Sequence, residues 1–141
     1  MREILFKAKR KDNGEWVEGW LLKDEVTGQC FIHASGNSVN ESDKVNEEGC
    51  LRFVAFEVDE STICQYTGLT DKNVRKIWEN DIVTEMYRTY VGKIVYNDCG
   101  FEVHWIEADI RKDIIFFKAK RGIEVIGNVF DNPELLKGGA E

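Results

Sequence analysis

The chain has one proline, no Cys-x-x-Cys pair, and no apolar run near the roughly 18 residues that would span a bilayer. Each absence removes a class. One Pro and 12 Gly fit turns and rule out a proline-rich linker. A zinc centre needs about four ligands, commonly paired at short spacing. The two histidines, His33 and His104, have only Cys30 and Cys99 near them in sequence, so half-buried histidines and apolar thiols are the preferred reading and no metal or other cofactor is expected. Positive charge is also short. A net charge of −7 opposes non-specific attraction to a phosphate backbone. Helical periodicity is missing as well, with no amphipathic segment of about 12 residues or more.

What is present describes a folded β protein. At 141 residues the chain can bury one ordinary core or two small β units sharing an interface, and 43% apolar with 32% charged residues is a globular composition. The start, Met1-Arg2-Glu3-Ile4-Leu5-Phe6-Lys7, turns charged too early for a secretory signal, so the protein is expected in the cytoplasm. Its four cysteines, at 30, 50, 64 and 99, are accordingly expected as reduced thiols.

In chain order, Ile4–Lys9 and Trp16–Leu22 read as strands around Asn13-Gly14, a hairpin turn whose Gly supplies positive φ. Trp16 and Trp20, an even number of residues apart, share a strand face and are expected in the core unless Gly19 marks a bulge. A turn at Asp24–Gly28 leads to a strand at Gln29–His33, and residues 34–50 form a long loop without periodicity. Leu51–Val58 is again strand-like. Asp59 or Ser61 is placed to cap a single helical turn, and the chain is expected to divide there into an N-terminal β subdomain (residues 1–58) and a C-terminal one (59–141). Val91–Tyr96 and Phe101–Trp105 flank Asn97-Asp98-Cys99-Gly100, with Gly100 expected to take the left-handed position. Glu107–Asp113 reads as a charged connection, Ile114–Phe117 and Ile123–Phe130 as strands, and Asn132-Pro133 as the cap and first residue of a short closing turn. The expected architecture is mainly β: N-terminal antiparallel hairpins packed with a C-terminal SH3-like small β-barrel of about five strands, with short helical turns only.

Turn and apolar residues alternate most densely from Cys64 to Val83. Gln65-Tyr66-Thr67-Gly68-Leu69, Asp71-Lys72-Asn73, Ile77–Val83 and Glu124–Leu136 together resemble the YopX family of phage and prophage proteins. The resemblance spans the chain except residues 23–50. It implies a bacteriophage or prophage origin and an SH3-like barrel in the C-terminal half, and it implies no activity. That family commonly has Gly where this chain has Val74, a β-branched residue that tolerates positive φ badly, so an ordinary strand-like φ is expected at Val74. It also tends to have Gly where Asn80 stands, and Asn enters the left-handed region readily, so that corner is expected to be kept.

No reacting constellation can be assembled. Asp81 beside Glu79 could form an acid pair, but carboxylates in tight corners usually bond their own backbone, and structural duty is the preferred reading. The best binding feature is a pentapeptide that occurs twice, Phe6-Lys7-Ala8-Lys9-Arg10 and Phe117-Lys118-Ala119-Lys120-Arg121. With Lys11, these place Lys7, Lys9, Arg10, Lys118, Lys120 and Arg121 in basic strips, and Tyr87, Tyr90 and Trp105 are candidates for stacking bases or meeting a partner. Lysines guarding edge strands are the plainer explanation. The expected function is a non-enzymatic interaction module binding a protein partner or a second copy of itself. The alternative is a nucleic-acid-binding module using residues 7–11 and 118–121.

Overall fold

Period-two alternation builds the first half of the chain in the computed structural model, which describes residues 4–34, 55–85, 90–97, 99–106, 110–113 and 122–136. Strands β1 (Phe6–Lys9), β2 (Trp16–Lys23), β3 (Cys30–Ala34) and β4 (Ala55–Val58) pair antiparallel in the order β4-β3-β2-β1. Their inward residues Ala8, Val17, Cys30, Ile32 and Val58 form one core, joined by Phe6, Leu21 and Phe56. The sheet curls until its outer strands meet at one end, where Arg10 bridges Val58 and the N–H groups of Lys11 and Asp59 donate to the carbonyls of Glu57 and Lys9. Asp59 caps the 3-10 turn Glu60–Thr62, as expected, by accepting from the Ser61 N–H at 3.0 Å. The buried Thr62 hydroxyl in that turn accepts the Lys9 N–H at 2.8 Å and donates to the Asp59 carbonyl at 2.7 Å.

Trp16 and Trp20 do share a face, but it is the outward one. Val17 and Gly19 take the buried positions, and a Cβ on Gly19 would lie 1.9 Å from the His33 carbonyl oxygen. Only glycine permits that approach, and it fixes the even-numbered residues of β2 on the outside. Trp20 is therefore 61% exposed, which corrects its expected place in the core.

The chain divides into two compact units, Met1–Gln65 and Tyr66–Glu141. Strand β5 (Cys64–Thr70) pairs with β1 through Cys64 and Gln65, and from Tyr66 onward with β6 (Lys76–Trp78). Then β7 (Asp81–Glu85), β8 (Val91–Asn97), β9 (Gly100–Trp105), β10 (Ile110–Asp113) and β11 (Ile123–Asn128) form an antiparallel sheet ordered β10-β9-β8-β7-β11. The fold is mainly β, in two antiparallel sheets with 3-10 turns as its helical elements among the described residues. Ile77, Val83, Ile94, Val103, Trp105, Ile123 and Val125 make the second core. Gly92 pairs with Trp105 across β8 and β9, and its missing side chain leaves room for the indole ring.

Three local expectations are corrected. Val74 adopts φ 64°, not a strand-like value, because the 71–75 loop is closed by Asp71 and its last turn residue must be left-handed. Val74 N–H donates to the Asp71 carbonyl at 3.0 Å and Asp71 N–H to the Arg75 carbonyl at 2.8 Å. Since Asn73 keeps negative φ, this is a type I turn followed by one left-handed residue, not a type I′ turn. In the β8–β9 turn the left-handed residue is Cys99 (φ 68°), while Gly100 already belongs to β9. Ile110–Asp113, expected as a connection, pairs with β9 through backbone hydrogen bonds, which a charged edge strand can do without alternation. Asn80 keeps its corner at φ 70°.

Candidate functional site

The first basic strip begins on β1, whose alternation turns Phe6 and Ala8 toward the core and Lys7 and Lys9 away from it. Lys7 faces Glu18 and Lys9 faces Trp16 in register with β2. Both ammonium groups lie over the Trp16 indole, 4.7 and 5.4 Å from the ring centroid, within cation–π range. Arg10 stacks on Phe56 with its guanidinium carbon 3.8 Å from the centroid, and its Nε and Nη2 donate to the two Asp12 carboxylate oxygens at 2.9 and 2.6 Å. The Arg10 side chain bonding to Asp12 holds that carboxyl below its ordinary value. Lys11 Nζ lies 3.1 Å from Glu57 Oε2. Lys11, Asp12, Ala55, Phe56 and Glu57 line an open groove of about 360 Å3, whose charges are thus already matched in pairs.

The remaining candidates scatter. Lys118, Lys120, Arg121 and Tyr87 lie outside the described residues. Tyr90 is 46% exposed and its N–H donates to Glu85 Oε1 at 3.2 Å. Trp105 is only 5% exposed, a core residue behind Gly92, and offers no ring face for stacking. Asp81, buried, accepts the Trp78 N–H on Oδ2 at 2.8 Å, the backbone duty its corner suggests. Among the described residues no three His, Cys, Asp or Glu side chains gather closely enough to hold a metal ion, and Cys30, Cys64 and Cys99 are not joined in disulfides.

Two surface features stand out that were not among the candidates. One is the outward row of β2, where Trp20 (61% exposed) and Leu22 (44%) are two residues apart, with the His33 ring tilted against Trp20 at 5.5 Å between centroids and Phe31 beside Leu22 in register. The other is the 71–75 loop. Asp71 is buried, with Oδ1 accepting the N–H groups of Asn73 and Arg75 and Oδ2 that of Val125, all at 2.9 Å. So anchored, the loop holds Val74 80% exposed at its tip. Neither was announced by the sequence: the left-handed φ of Val74 comes from closure of the loop on Asp71, and the outward turn of the tryptophans from the backbone approach at Gly19.

No helix of the described residues is long and apolar enough to cross a membrane. No protein of curated function is similar to this chain. A crystal structure of protein EF1440 from Enterococcus faecalis is similar over 97% of this chain and 100% of that one, with 25% identity and a TM-score of 0.57. The turns described above account for much of what is distinctive in the sequence: Asp71–Arg75, the Asn80–Asp81 corner, and Asn128, whose Oδ1 accepts the N–H groups of Phe130 and Asp131. The sequence profile described as "YopX protein" matches residues 5–137, and the chain belongs to the YopX family.

Proposed function

We propose that this protein is a non-enzymatic interaction module, encoded by a phage or prophage and acting in the bacterial cytoplasm, that binds a protein partner, a second copy of the chain included. The observation that carries this is the outward row of β2, where Trp20 and Leu22 expose large apolar side chains side by side on a sheet face. Aromatic anchors of this kind are enriched at protein interfaces, and a folded chain gains nothing from leaving them in water. Support also comes from the polar groups: Asp71, Asp81, Asp59 and Asn128 each bond backbone N–H groups of their own turns, as structural residues do. The same reading takes β7–β11 as an SH3-like barrel, a meander whose last strand returns to pair with its first.

Nucleic-acid binding through residues 7–11 is the weaker proposal, since Arg10 and Lys11 are already bonded to Asp12 and Glu57. To test the favoured reading, the tagged full chain is cross-linked in a bacterial host and its protein partners are recovered. Trp20→Ser is expected to abolish recovery and, being a surface change, to alter stability by no more than about 0.5 kcal/mol. Recovery of the same partners by the variant overturns the assignment to this face.

A further inference from the structure

Resting on the interaction-module reading, we infer that the chain self-associates by seating the Val74–Arg75 tip of one copy on the Trp20–Leu22 face of another. The first ground is strain without a structural return. Every hydrogen bond that closes the 71–75 loop is made by backbone groups and the Asp71 carboxylate, so Gly at position 74 would serve the turn at least as well. Val74 instead holds a β-branched side chain at φ 64°, four-fifths exposed to water, where its own fold covers little of it. Backbone strain of this kind collects at contact sites, where the benefit lies outside the fold.

The occupant follows from charge. The chain as a whole is acidic, at −7, yet the tip is locally basic, with the exposed Arg75 guanidinium next to Val74. Another copy presents what such a tip fits, beginning with an exposed apolar pair, Trp20 and Leu22. Past Lys23, whose ammonium lies 3.5 Å from Glu60, the exposed turn after β2 carries the Glu25 carboxylate and that of Asp24, which also accepts the Val26 N–H. Val74 meets the apolar pair and Arg75 meets the carboxylates. A basic tip on an acidic chain attracts its own kind, and the attraction weakens with salt.

Sedimentation of the purified full chain from micromolar to millimolar concentration tests this. The wild type is expected to rise above its 16.3 kDa monomer mass with concentration. Val74→Gly, Arg75→Glu and Trp20→Ser are each expected to move that rise to about tenfold higher concentration. Val74→Gly is the decisive variant, because it is expected to raise the unfolding midpoint while weakening association. No purely structural role moves the two in opposite directions. A wild type that stays at the monomer mass throughout, or association indifferent to Val74→Gly and Trp20→Ser, overturns the inference. A monomeric wild type that still cross-links to a host protein through Trp20 leaves the interaction-module reading standing, so the two failures are distinguishable.

Discussion

Asp71 and Val125, 54 residues apart in sequence, are joined by a buried hydrogen bond in which the Val125 N–H donates to Asp71 Oδ2 at 2.9 Å. The Lys72 N–H donates to the Ile123 carbonyl beside it at 3.1 Å. Together they satisfy backbone groups of β11 that its partner β7 does not. An outer strand whose polar backbone groups are taken by a side chain and a loop is less open to pairing with another strand.

Replacing Asp71 therefore has a definite cost. Asp71→Ala removes the acceptor of three N–H groups, and the one from Val125 is buried. The expected loss is about 2–4 kcal/mol of unfolding free energy, measured by denaturant titration. Asp71→Asn is expected to recover only part of it, since an amide presents one acceptor oxygen where the carboxylate uses two. A loss below about 1 kcal/mol for Asp71→Ala contradicts the assigned role.

Gly92→Ala tests the second core. A Cβ there would lie 2.6 Å from Val103 Cγ1 and 2.9 Å from the Trp105 ring, so both must shift. Overpacking of this kind costs about 1–3 kcal/mol. The loss is expected as a lower denaturant midpoint, and an unchanged midpoint counts against the packing described.

Asn80 and Val74, both left-handed, show what could and could not be read from sequence. Asn80 was legible because its left-handed φ depends on its own side chain. Val74 was not, because its φ is set by Asp71 and by the closure of the whole loop. Alternation put Trp16 and Trp20 on one face, but which face is buried was decided by the backbone approach at Gly19, a tertiary fact. Strand Ile110–Asp113 has no alternation to reveal it, since an edge strand is held by its neighbour's backbone. Basic residues 10 and 11 looked available because one of their carboxylate partners, Glu57, comes from a strand 46 residues away.

Acid should weaken the fold in a predictable window. Asp59 is held below the ordinary 3.8 of an aspartate first by the Ser61 hydroxyl, Asp24 by the Val26 N–H, and Asp12 by Arg10. A carboxyl with a lowered folded value binds protons more readily when unfolded. Its contribution to stability is fully present above the unfolded value and is lost as the pH falls through the folded one. The denaturant midpoint is expected to be flat near neutrality and to fall below about pH 4. Asp59→Asn keeps a capping side chain and is expected to shallow that fall, and a slope identical to the wild type's would exclude Asp59 from the acid response.

Val74→Gly is expected to make the protein more stable, which few substitutions to glycine do. A β-branched residue in the left-handed region carries about 1–2 kcal/mol of backbone strain, and Val74 has φ 64°. Its 80% exposure means that almost no packing is lost with the side chain. Against this gain stands the greater freedom of glycine in the unfolded chain, about 0.5–1 kcal/mol. Relief of strain outweighs that entropy, and the net gain is expected near 0.5–1 kcal/mol, seen as a higher denaturant midpoint with an unchanged m value. Val74→Asn separates strain from chain entropy, because asparagine tolerates the same φ without glycine's full freedom when unfolded, and it is expected to stabilise at least as much. Val74→Ile keeps the branched Cβ and the strain, so it should leave the midpoint where it is. If Val74→Gly and Val74→Asn both lower the midpoint, Val74 contributes to its own fold, and the left-handed strain assigned to it is wrong.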